Sequence, residues 1–458
     1  KRLQAENEWL QADHKRLQDR VGVLEARLNQ NSKNSSKPPS LDQKPNLPPP
    51  DPGSGAKGRP YHRGASRELL PESAVTSREV RAIDICPRCR SRMEGTGEVR
   101  KWQTIELPEI KPLVHQIELH TRVCPNCHLV HHPELREKEQ FLLGPRLEAL
   151  ISVCLGQFRQ SHRSVREFFA TFIPGLHLSQ GVISKVKSRA ARALDEAHKH
   201  IRQLALHSGQ ALHVDVTGWR HRGKNEHAIV LRSNNVVSFS FDRSQNGEVI
   251  ASLVQNGVYL VSDRGLASAR VDTRVHQYCL AHLLRNIQGL AEHPATTLEE
   301  TARLGDLHDG IRSLFVDKHR MDRGEIALST WKQYGYTTWS ALKADVETMS
   351  HGGSGKKVER FCKRMLSDWG YFMSYLRDPG GPMTNNPAEE ALRSLVIARK
   401  LCFGSRSEYG RQWRASLQSC IETLRRHGHS VLSFLTATIE AARSGRPPPM
   451  PLLCQATL

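Results

Sequence analysis

Three acidic residues, two at the ends of apolar runs and one far downstream, have the types and spacing that could do chemistry. Asp215 lies near the end of one short apolar run, and Asp263 follows another. Glu389 lies in the first turn of a predicted helix. Mg²⁺ binds carboxylate oxygens and leaves room for phosphate oxygens. Two aspartates and a distant helical glutamate therefore predict a two-metal site for phosphoryl transfer, with Mg²⁺ or Mn²⁺. Each aspartate alone would more often be an ordinary cap or turn residue.

The segment 211–265 predicts the elements that position the two aspartates. It reads as strand, strand, strand, helix, strand, with helical spacing at 247–255. Ser-Asn-Asn between the second and third strands predicts a hairpin. The apolar and β-branched runs that predict the strands are 211–216, 226–232, 236–241 and 257–261.

Four of the ten cysteines form two Cys-x-x-Cys pairs, which predict one structural Zn²⁺ bound by Cys86, Cys89, Cys124 and Cys127. The pairs are 34 residues apart, and alternating runs such as 114–119 predict a β ribbon that carries them. Redox dithiols or unliganded cysteines are the alternatives. The other six cysteines are scattered, which fits a reducing cytoplasm.

The charge favours a polyanionic partner. Lys and Arg total 66 against 47 Asp and Glu, giving a net charge of +19. We expect double-stranded DNA rather than a membrane, because no apolar run is long enough to span a bilayer and no signal peptide opens the chain. An incidentally basic soluble protein is the alternative. The chain begins at Lys1 without Met, so we expect an incomplete N-terminus.

Residues 143–205 are predicted to be helical, with a helix-turn-helix rhythm. A helix at 162–172 and a turn precede a second helix at 179–194, for which Ser179 is a plausible N-cap. The second helix would present basic side chains to DNA. An ordinary helix pair of an α-rich domain is equally consistent with the pattern. The basic side chains are Lys185, Lys187 and Arg189.

The N-terminal segment predicts a coiled coil, because leucines recur every seven residues through residues 1–30. We expect it to form a homodimer or a higher oligomer; the alternative is a single amphipathic helix docked on the body. Prolines make the following segment an extended linker.

Cys279 and His282 lie three residues apart on a later predicted helix, and a packed helix is favoured there over a metal site. Trp331, Trp339 and Trp369 in the polar helical segment 291–380 are expected to fill a core.

Several motifs together resemble the TnpC transposases of the bacterial insertion-sequence-sixty-six family over essentially the whole chain. They are the linker 32-SKNSSKPPS-40, the two cysteine pairs, 213-HVDVTGW-219, 262-SDR-264, 279-CLAH-282 and 385-NNPAE-389 followed by 391-ALR-393. The resemblance implies a ribonuclease H-like catalytic core in which Asp215, Asp263 and Glu389, rather than Glu390, hold two metal ions. It also suggests accessory transposition proteins as partners.

The chain departs from the family pattern at three places. Val216 stands where the family often has Glu, and Thr384 stands where it usually has Asp. The segment after Asp263, 265-GLAS-268, lacks two aromatic residues that usually follow.

The helix of Glu389 also carries the basic residues Arg393, Arg399 and Lys400, which we expect to contact DNA. Arg393 could instead hold the carboxylate of Glu389 or face solvent.

The resulting expectation is a multidomain α+β protein with an N-terminal coiled coil, a zinc-knuckle β domain, a helical helix-turn-helix domain and a ribonuclease H-like α/β core with a helical insertion. Its function would be metal-dependent DNA cleavage and strand transfer in the bacterial cytoplasm, at the nucleoid. A nuclease without strand transfer, a catalytically silent DNA-binding derivative and a coiled-coil scaffold protein are the alternatives. The boundaries are 1–30 coiled coil, 31–79 linker, 80–135 zinc domain, 143–205 DNA-binding domain, 206–290 and 381–440 core, 291–380 insertion and 441–458 tail.

Overall fold

A computed structural model describes most of the chain: residues 2–28, 30–31, 68–95, 99–244, 247–254, 257–264, 273–351, 355–378 and 381–450. Most of the predicted linker, its motif 32–40 and the segment 265–268 lie outside the described residues. The chain divides into two compact units, and each is described by itself. One comprises Lys1–Gln43 with His115–Leu458, and the other comprises Lys44–Val114.

Helix α1 spans Arg2–Leu28, the segment predicted to form a coiled coil. Four apolar side chains of its C-terminal half are at least half exposed: Leu17, Val21, Leu24 and Leu28. A regular helix therefore forms here, and its apolar residues are available to a partner.

The prediction of a β ribbon near 114–119 is wrong. Among the described residues 99–121 there is no strand, and the nearest ladder is the short antiparallel pair β1 (Arg122–Val123) and β2 (Val130–His131). Val114 is 86% exposed and Leu113 is fully exposed. An alternating sequence forms a strand only when a neighbour pairs with it and one face is buried, and neither condition is met.

Residues 143–205 are helical, as predicted. The helices are α2 (Pro145–Gly156), α3 (His162–Phe172), α4 (Gln180–Ala193) and α5 (Asp195–Leu206). The hydroxyl of Ser179 accepts a hydrogen bond from the Val182 N–H at 3.2 Å, which confirms the predicted N-cap of α4. These helices share one apolar core with the C-terminal helices α14 and α15, whose bounds follow below.

A five-stranded mixed sheet follows, in the predicted order of strand, strand, strand, helix, strand. Its elements are β3 (Leu212–His221), β4 (Lys224–Ser233), β5 (Val236–Asp242), α6 (Gly247–Leu253), β6 (Tyr259–Ser262) and β7 (Val275–Tyr278). The spatial order is β5-β4-β3-β6-β7. β3, β4 and β5 are antiparallel, whereas β6 and β7 run parallel to β3. Asn234 turns the hairpin between β4 and β5 with a left-handed φ of 51°.

In the sequence, a helical layer lies between the strands of the sheet and the C-terminal helices. It contains α7 (Leu280–Ala291), α8 (Leu298–Asp322), α9 (Leu328–Ser350), α10 (Lys356–Ser367), α11 (Trp369–Phe372) and α12 (Ser374–Arg377). Trp331 and Trp339 are buried in its core, as expected, and Trp369 packs on Trp339 with ring centroids 5.2 Å apart. This layer has its own hydrophobic cluster.

The C-terminal helices return to the sheet. They are α13 (Asn386–Cys402), α14 (Glu408–Arg426) and α15 (Val431–Arg443). α13 packs Ala388, Ala391 and Leu395 against β3, β4 and β5. α14 lies along the edge strand β5, where Thr423 Oγ1 accepts from the Val237 N–H at 3.0 Å and Ser419 Oγ accepts from the Phe239 N–H at 2.8 Å. Helix side chains thus satisfy N–H groups that an open sheet edge would expose.

Candidate active site

Sheet register brings the two predicted aspartates side by side. In the parallel pairing of β3 with β6, Val214 is opposite Ser262. Asp215 and Asp263 are the next residues of the two chains, so they leave neighbouring positions at the same end of the sheet. Residues at the carboxyl ends of parallel strands commonly form ligand sites.

A buried asparagine ties the elements of the site together. Asn385, at the N-terminus of α13, is fully buried. Its side-chain Nδ2 donates to the Val214 carbonyl at 2.8 Å, and its backbone N–H donates to Cys279 Sγ at 3.1 Å. Its Oδ1 accepts from Nδ1 of His213 at 3.3 Å, and burial lowers the pKa of that histidine to about 4, so His213 is neutral. One residue therefore fixes β3, the start of α7 and the start of α13.

α7 brings two cationic side chains to the acids. Cys279 is its N-cap, and His282 and Arg285 follow at a spacing that puts them on one face. His282 Nδ1 lies 2.7 Å from Asp263 Oδ1 and 3.5 Å from Glu389 Oε1. Arg285 Nη2 donates to both oxygens of Glu389, at 2.9 and 3.3 Å. Arg285 thereby orients the Glu389 carboxylate, whose side chain is 27% exposed.

The neighbouring glutamate has a different environment. Glu390 forms ion pairs with Arg232 at 2.8 Å and Arg426 at 3.1 Å, and its side chain is 57% exposed. These cations lower the pKa of Glu390, with the hydrogen bond from Arg232 as the largest cause. Of the two adjacent glutamates, Glu389 is the one that contacts His282. Arg393 is exposed. The arginine that holds the Glu389 carboxylate is Arg285, not Arg393.

Burial and like charge perturb the first aspartate. Burial raises the pKa of Asp215 to about 7, the nearby Asp263 carboxylate adds to the increase, and the more distant Glu389 contributes further. The N–H of Val216 donates to its Oδ1 at 2.8 Å and acts in the opposite direction. Burial lowers the pKa of His282, but the adjacent Asp263 and Cys279 overcome it and raise the pKa to about 10. Protonated His282 therefore offsets part of the negative charge.

The donor set fits divalent cations. Asp263 Oδ1 is buried and has no hydrogen-bond partner among the described residues, although His282 Nδ1 lies 2.7 Å from it. Asp263, Cys279 and His282 each offer one ligand atom within 4.8 Å of the others. Carboxylates of Asp215, Asp263 and Glu389 suit Mg²⁺ or Mn²⁺, whereas imidazole and thiolate favour softer ions such as Zn²⁺.

Comparison with known families gives a match over more than half of the chain. The family model described as "Transposase IS66 family" matches residues 141–412, which include all three acids, Asn385, His282 and Arg285. The chain belongs to the IS66 transposase family. A second model, described as "Family of unknown function (DUF6444)", matches residues 1–52. No curated protein matches the chain.

Membership of the IS66 family implies a function in transposition and the binding of DNA. It confirms the family that the motifs indicated. Among the described helices of this transposase, none combines the length and hydropathy that crossing a bilayer requires.

Three residues of the transposase site were not predicted as members. Sequence reasoning favoured a packed helix at His282, although the Cys-x-x-His spacing before an amphipathic run was visible. Arg285 gave no signal beyond its place one turn after His282. Asn385 was part of the quoted motif, but its partners Val214 and His213 lie more than 170 residues away in sequence.

The structure places the six predicted DNA-binding residues in different environments. Lys185 and Arg393 are exposed, and so is Lys400. Lys187 Nζ lies 4.6 Å from the centroid of the Trp413 ring, and burial lowers its pKa to about 8. Arg189 forms an ion pair with the buried Glu148.

Arg399 contacts the strand of the first aspartate. Its Nη1 donates to Thr217 Oγ1 at 3.0 Å and also to the Gly218 carbonyl. Arg399 therefore ties the end of α13 to β3, two residues beyond Asp215.

Each cysteine pair has the backbone of a metal-binding knuckle. In both, the N–H of the first cysteine (Cys86 or Cys124) donates to the carbonyl five residues later, and its carbonyl accepts from the N–H four residues later, all at 2.9 Å. The residue after the second cysteine, Arg90 or His128, is left-handed with φ of 61° or 56°. Hydrogen bonds led by that of Ser91 lower the pKa of Cys89 to about 7. Lower thiol pKa values favour metal binding.

Asn385→Ala should destabilise the transposase by about 2–3 kcal/mol, because it leaves the Val214 carbonyl and the His213 Nδ1 buried without partners. Chemical denaturation measures this change. The adjacent Asn386→Ala, at an exposed position, is the matched control and should change stability little. Equal effects of the two changes would show that Asn385 does not tie the site together.

Asp215→Asn should stabilise the metal-free transposase increasingly as pH rises. The folded-state pKa of Asp215, about 7, exceeds the ordinary value of 3.8, so ionisation removes stability as pH rises through the folded pKa. The advantage of the variant should grow by roughly 2 kcal/mol between about pH 5 and about pH 8.

Thermal unfolding in a chelator measures the pH dependence. The exposed Asp345→Asn is the control and should show no such dependence. A pH-independent difference between parent and Asp215→Asn would contradict the raised pKa.

Proposed function

We propose that this transposase cleaves DNA and transfers the cut strand with Asp215, Asp263 and Glu389 as its metal-binding residues. The observation that carries the proposal is that three acids distant in sequence meet at the partly buried His282: its Nδ1 lies 2.7 Å from Asp263 and 3.5 Å from Glu389, and its charge acts on Asp215. The strand order β5-β4-β3-β6-β7, with three antiparallel and two added parallel strands, supports a ribonuclease H-like core.

With two Mg²⁺ or Mn²⁺ ions bound, the site would have the chemistry to activate water or a DNA 3′-hydroxyl for in-line displacement at phosphorus. The protein's own residues supply the arrangement. Asn385 fixes the backbone that carries Asp215, and Arg285 orients both oxygens of Glu389. His282 holds a proton at Nδ1 beside Asp263, so it screens carboxylate repulsion before cations enter.

DNA would be held by exposed basic groups. Lys185 on α4 and Arg393 on α13 keep this role, because both are exposed. Lys400 is exposed and remains a proposed DNA contact. Lys187, Arg189 and Arg399 make internal contacts, and their proposed contribution is to position these helices.

Glu389→Gln and Glu390→Gln form a matched pair that tests the third acid. Glu389→Gln should reduce cleavage of a duplex carrying the element's own end by about 10³-fold or more, because a metal-binding carboxylate is lost. Glu390→Gln should retain cleavage within about tenfold, because Glu390 contacts Arg232 and Arg426 instead.

The measurement is gel analysis of cleaved and joined products with Mg²⁺ or Mn²⁺ and a target duplex. Joined product distinguishes strand transfer from simple nuclease action. Equal activity of the parent and Glu389→Gln would refute the assignment, and loss only in Glu390→Gln would transfer the role to the neighbouring residue.

We also propose that Cys86, Cys89, Cys124 and Cys127 bind one structural Zn²⁺. The support is the knuckle backbone of each pair and the lowered thiol pKa values of Cys89 and Cys124. Purified protein should contain about one zinc per chain, and Cys86→Ser with Cys124→Ser should lose it. Elemental analysis measures the content. The buried Cys420→Ser is the control and should keep its zinc; a parent without zinc would contradict the proposal.

We propose further that α1 forms a homodimer or higher oligomer. Leu17, Val21 and Leu24 are exposed along a helix with a heptad pattern. Leu17→Lys with Leu24→Lys should convert the protein to a monomer, as measured by multi-angle light scattering. Arg20→Leu on the same helix serves as the surface control, and an unchanged mass in the double lysine variant would exclude this interface.

A further inference from the structure

A basic cavity lies beside the acid cluster, in a part of the helical layer to which the sequence assigned no function. It has a volume of about 340 Å³. Its lining comes from three places in the chain: the residue after Asp263, helix α7 and helix α10. The lining residues are Arg264, Asn286, Lys357, Arg360, Phe361 and Arg364. Four of these six are cationic and none is acidic, so the cavity favours an anion.

The face of α10 that lines the cavity is separate from the face that packs. Lys357, Arg360 and Arg364 follow one another at helical spacing and are all exposed. The other face of α10 packs into the core through Val358, Cys362 and Met365, which are buried. The basic residues of this face are therefore not needed to fold α10.

The cationic charge of this face is not balanced within the described residues. Neither Arg360 nor Arg364 has an acidic partner there, whereas Lys363 on the same helix pairs with Glu359 at 2.5 Å. Lys357 contacts the neutral imidazole of His293 at 2.5 Å, and burial, helped by the Lys357 charge, lowers the pKa of that histidine. Unpaired arginines that converge on a cavity are typical of phosphate recognition.

Arg264 adds a partly satisfied guanidinium to the same place. Its Nε donates to Asp368 at 2.8 Å, and its Cζ lies 5.7 Å from the centroid of the Phe361 ring. Its Nη2 is buried and has no hydrogen-bond partner among the described residues. A buried donor without a partner is costly, and a bound anion would satisfy it.

The cavity is linked to the acid cluster through two adjacent pairs of residues. Arg264 directly follows Asp263, and Asn286 directly follows Arg285, which holds Glu389. Consecutive Cα atoms are about 3.8 Å apart, so the cavity lies on the flank of the site.

We propose that this cavity binds a backbone phosphate of the DNA strand whose neighbouring phosphate lies at Asp215, Asp263 and Glu389. The proposal rests on the proposed function for the identity of the strand. The cavity would fix the strand's register in the acid cluster by a contact that does not depend on base sequence. α10 would thus be a DNA-contacting helix, in addition to α4 and α13.

The test combines two protein variants with single neutral phosphates in the DNA. The cavity variant is Arg360→Ala with Arg364→Ala. The matched control, Arg312→Ala with Lys343→Ala, removes the same charge from exposed positions of α8 and α9 in the same layer. All proteins also carry Asp263→Asn, so binding is measured without cleavage. Thermal unfolding establishes that each variant is folded.

Fluorescence anisotropy with a labelled duplex carrying the element's end measures affinity against salt. The cavity variant should bind about tenfold more weakly, and the slope of log affinity against log salt should fall by about one, as expected for one lost phosphate contact. The control should bind within about twofold of the parent. Equal losses in both variants would reduce the effect to net charge and overturn the proposal.

Methylphosphonate replacement of one phosphate at a time near the cleavage position then identifies the contact. At one position the neutral linkage should weaken the parent about tenfold and leave the cavity variant unchanged, because the same contact is already missing. Losses that add at every position would overturn the proposal. These measurements use binding alone, so they decide the cavity independently of the proposed function, which is tested by cleavage with the protein that retains Asp263.

Discussion

The buried side chain of Asn385 is the interaction on which the site depends. Its amide links a strand carbonyl to a histidine on β3, the backbone N–H of the same residue donates to a thiol at the start of α7, and the residue stands at the start of the helix that carries Glu389. An amide suits this position because it donates and accepts in one rigid plane without bringing a charge into the interior. A charged residue there would add to an already acidic centre, whereas an apolar residue would leave buried groups unpaired.

Bringing three carboxylates together creates electrostatic repulsion within the site. Asp215 is buried next to a second carboxylate, and its pKa rises to about 7. His282 and Arg285 reduce the repulsion from one side only, because both come from α7 and contact Asp263 or Glu389. The part of the site around Asp215 therefore has the least compensated charge in the absence of a cation, which is the condition expected of a centre built to receive one.

Much of the sheet could be predicted, because its information is local. Alternation, apolar runs and the Ser-Asn-Asn hairpin predicted β3 to β6 and placed Asp215 and Asp263 at the ends of two apolar runs. The parallel pairing of β3 with β6, which brings the two aspartates together, came from the structure. The environments of Lys187 and Arg189 could not be predicted, since Trp413 and Glu148 lie on other helices. The prediction of a β ribbon at 114–119 was wrong for the converse reason: its local pattern was suitable, but the part of the chain that the structure describes offers it no partner strand.

Helix α14 has a consequence that reaches beyond the sheet edge it covers. Through Ser419 and Thr423 it is bonded to β5, and its other side shares a core with α4. His198 of α5 joins the same contact by bonding to the Phe239 carbonyl. Helices α4 and α5 are thus mounted on the sheet that carries Asp215, without a tether of variable length. Under the proposed function, this mounting means that the protein itself sets the distance between the DNA held by α4 and the bond that reacts.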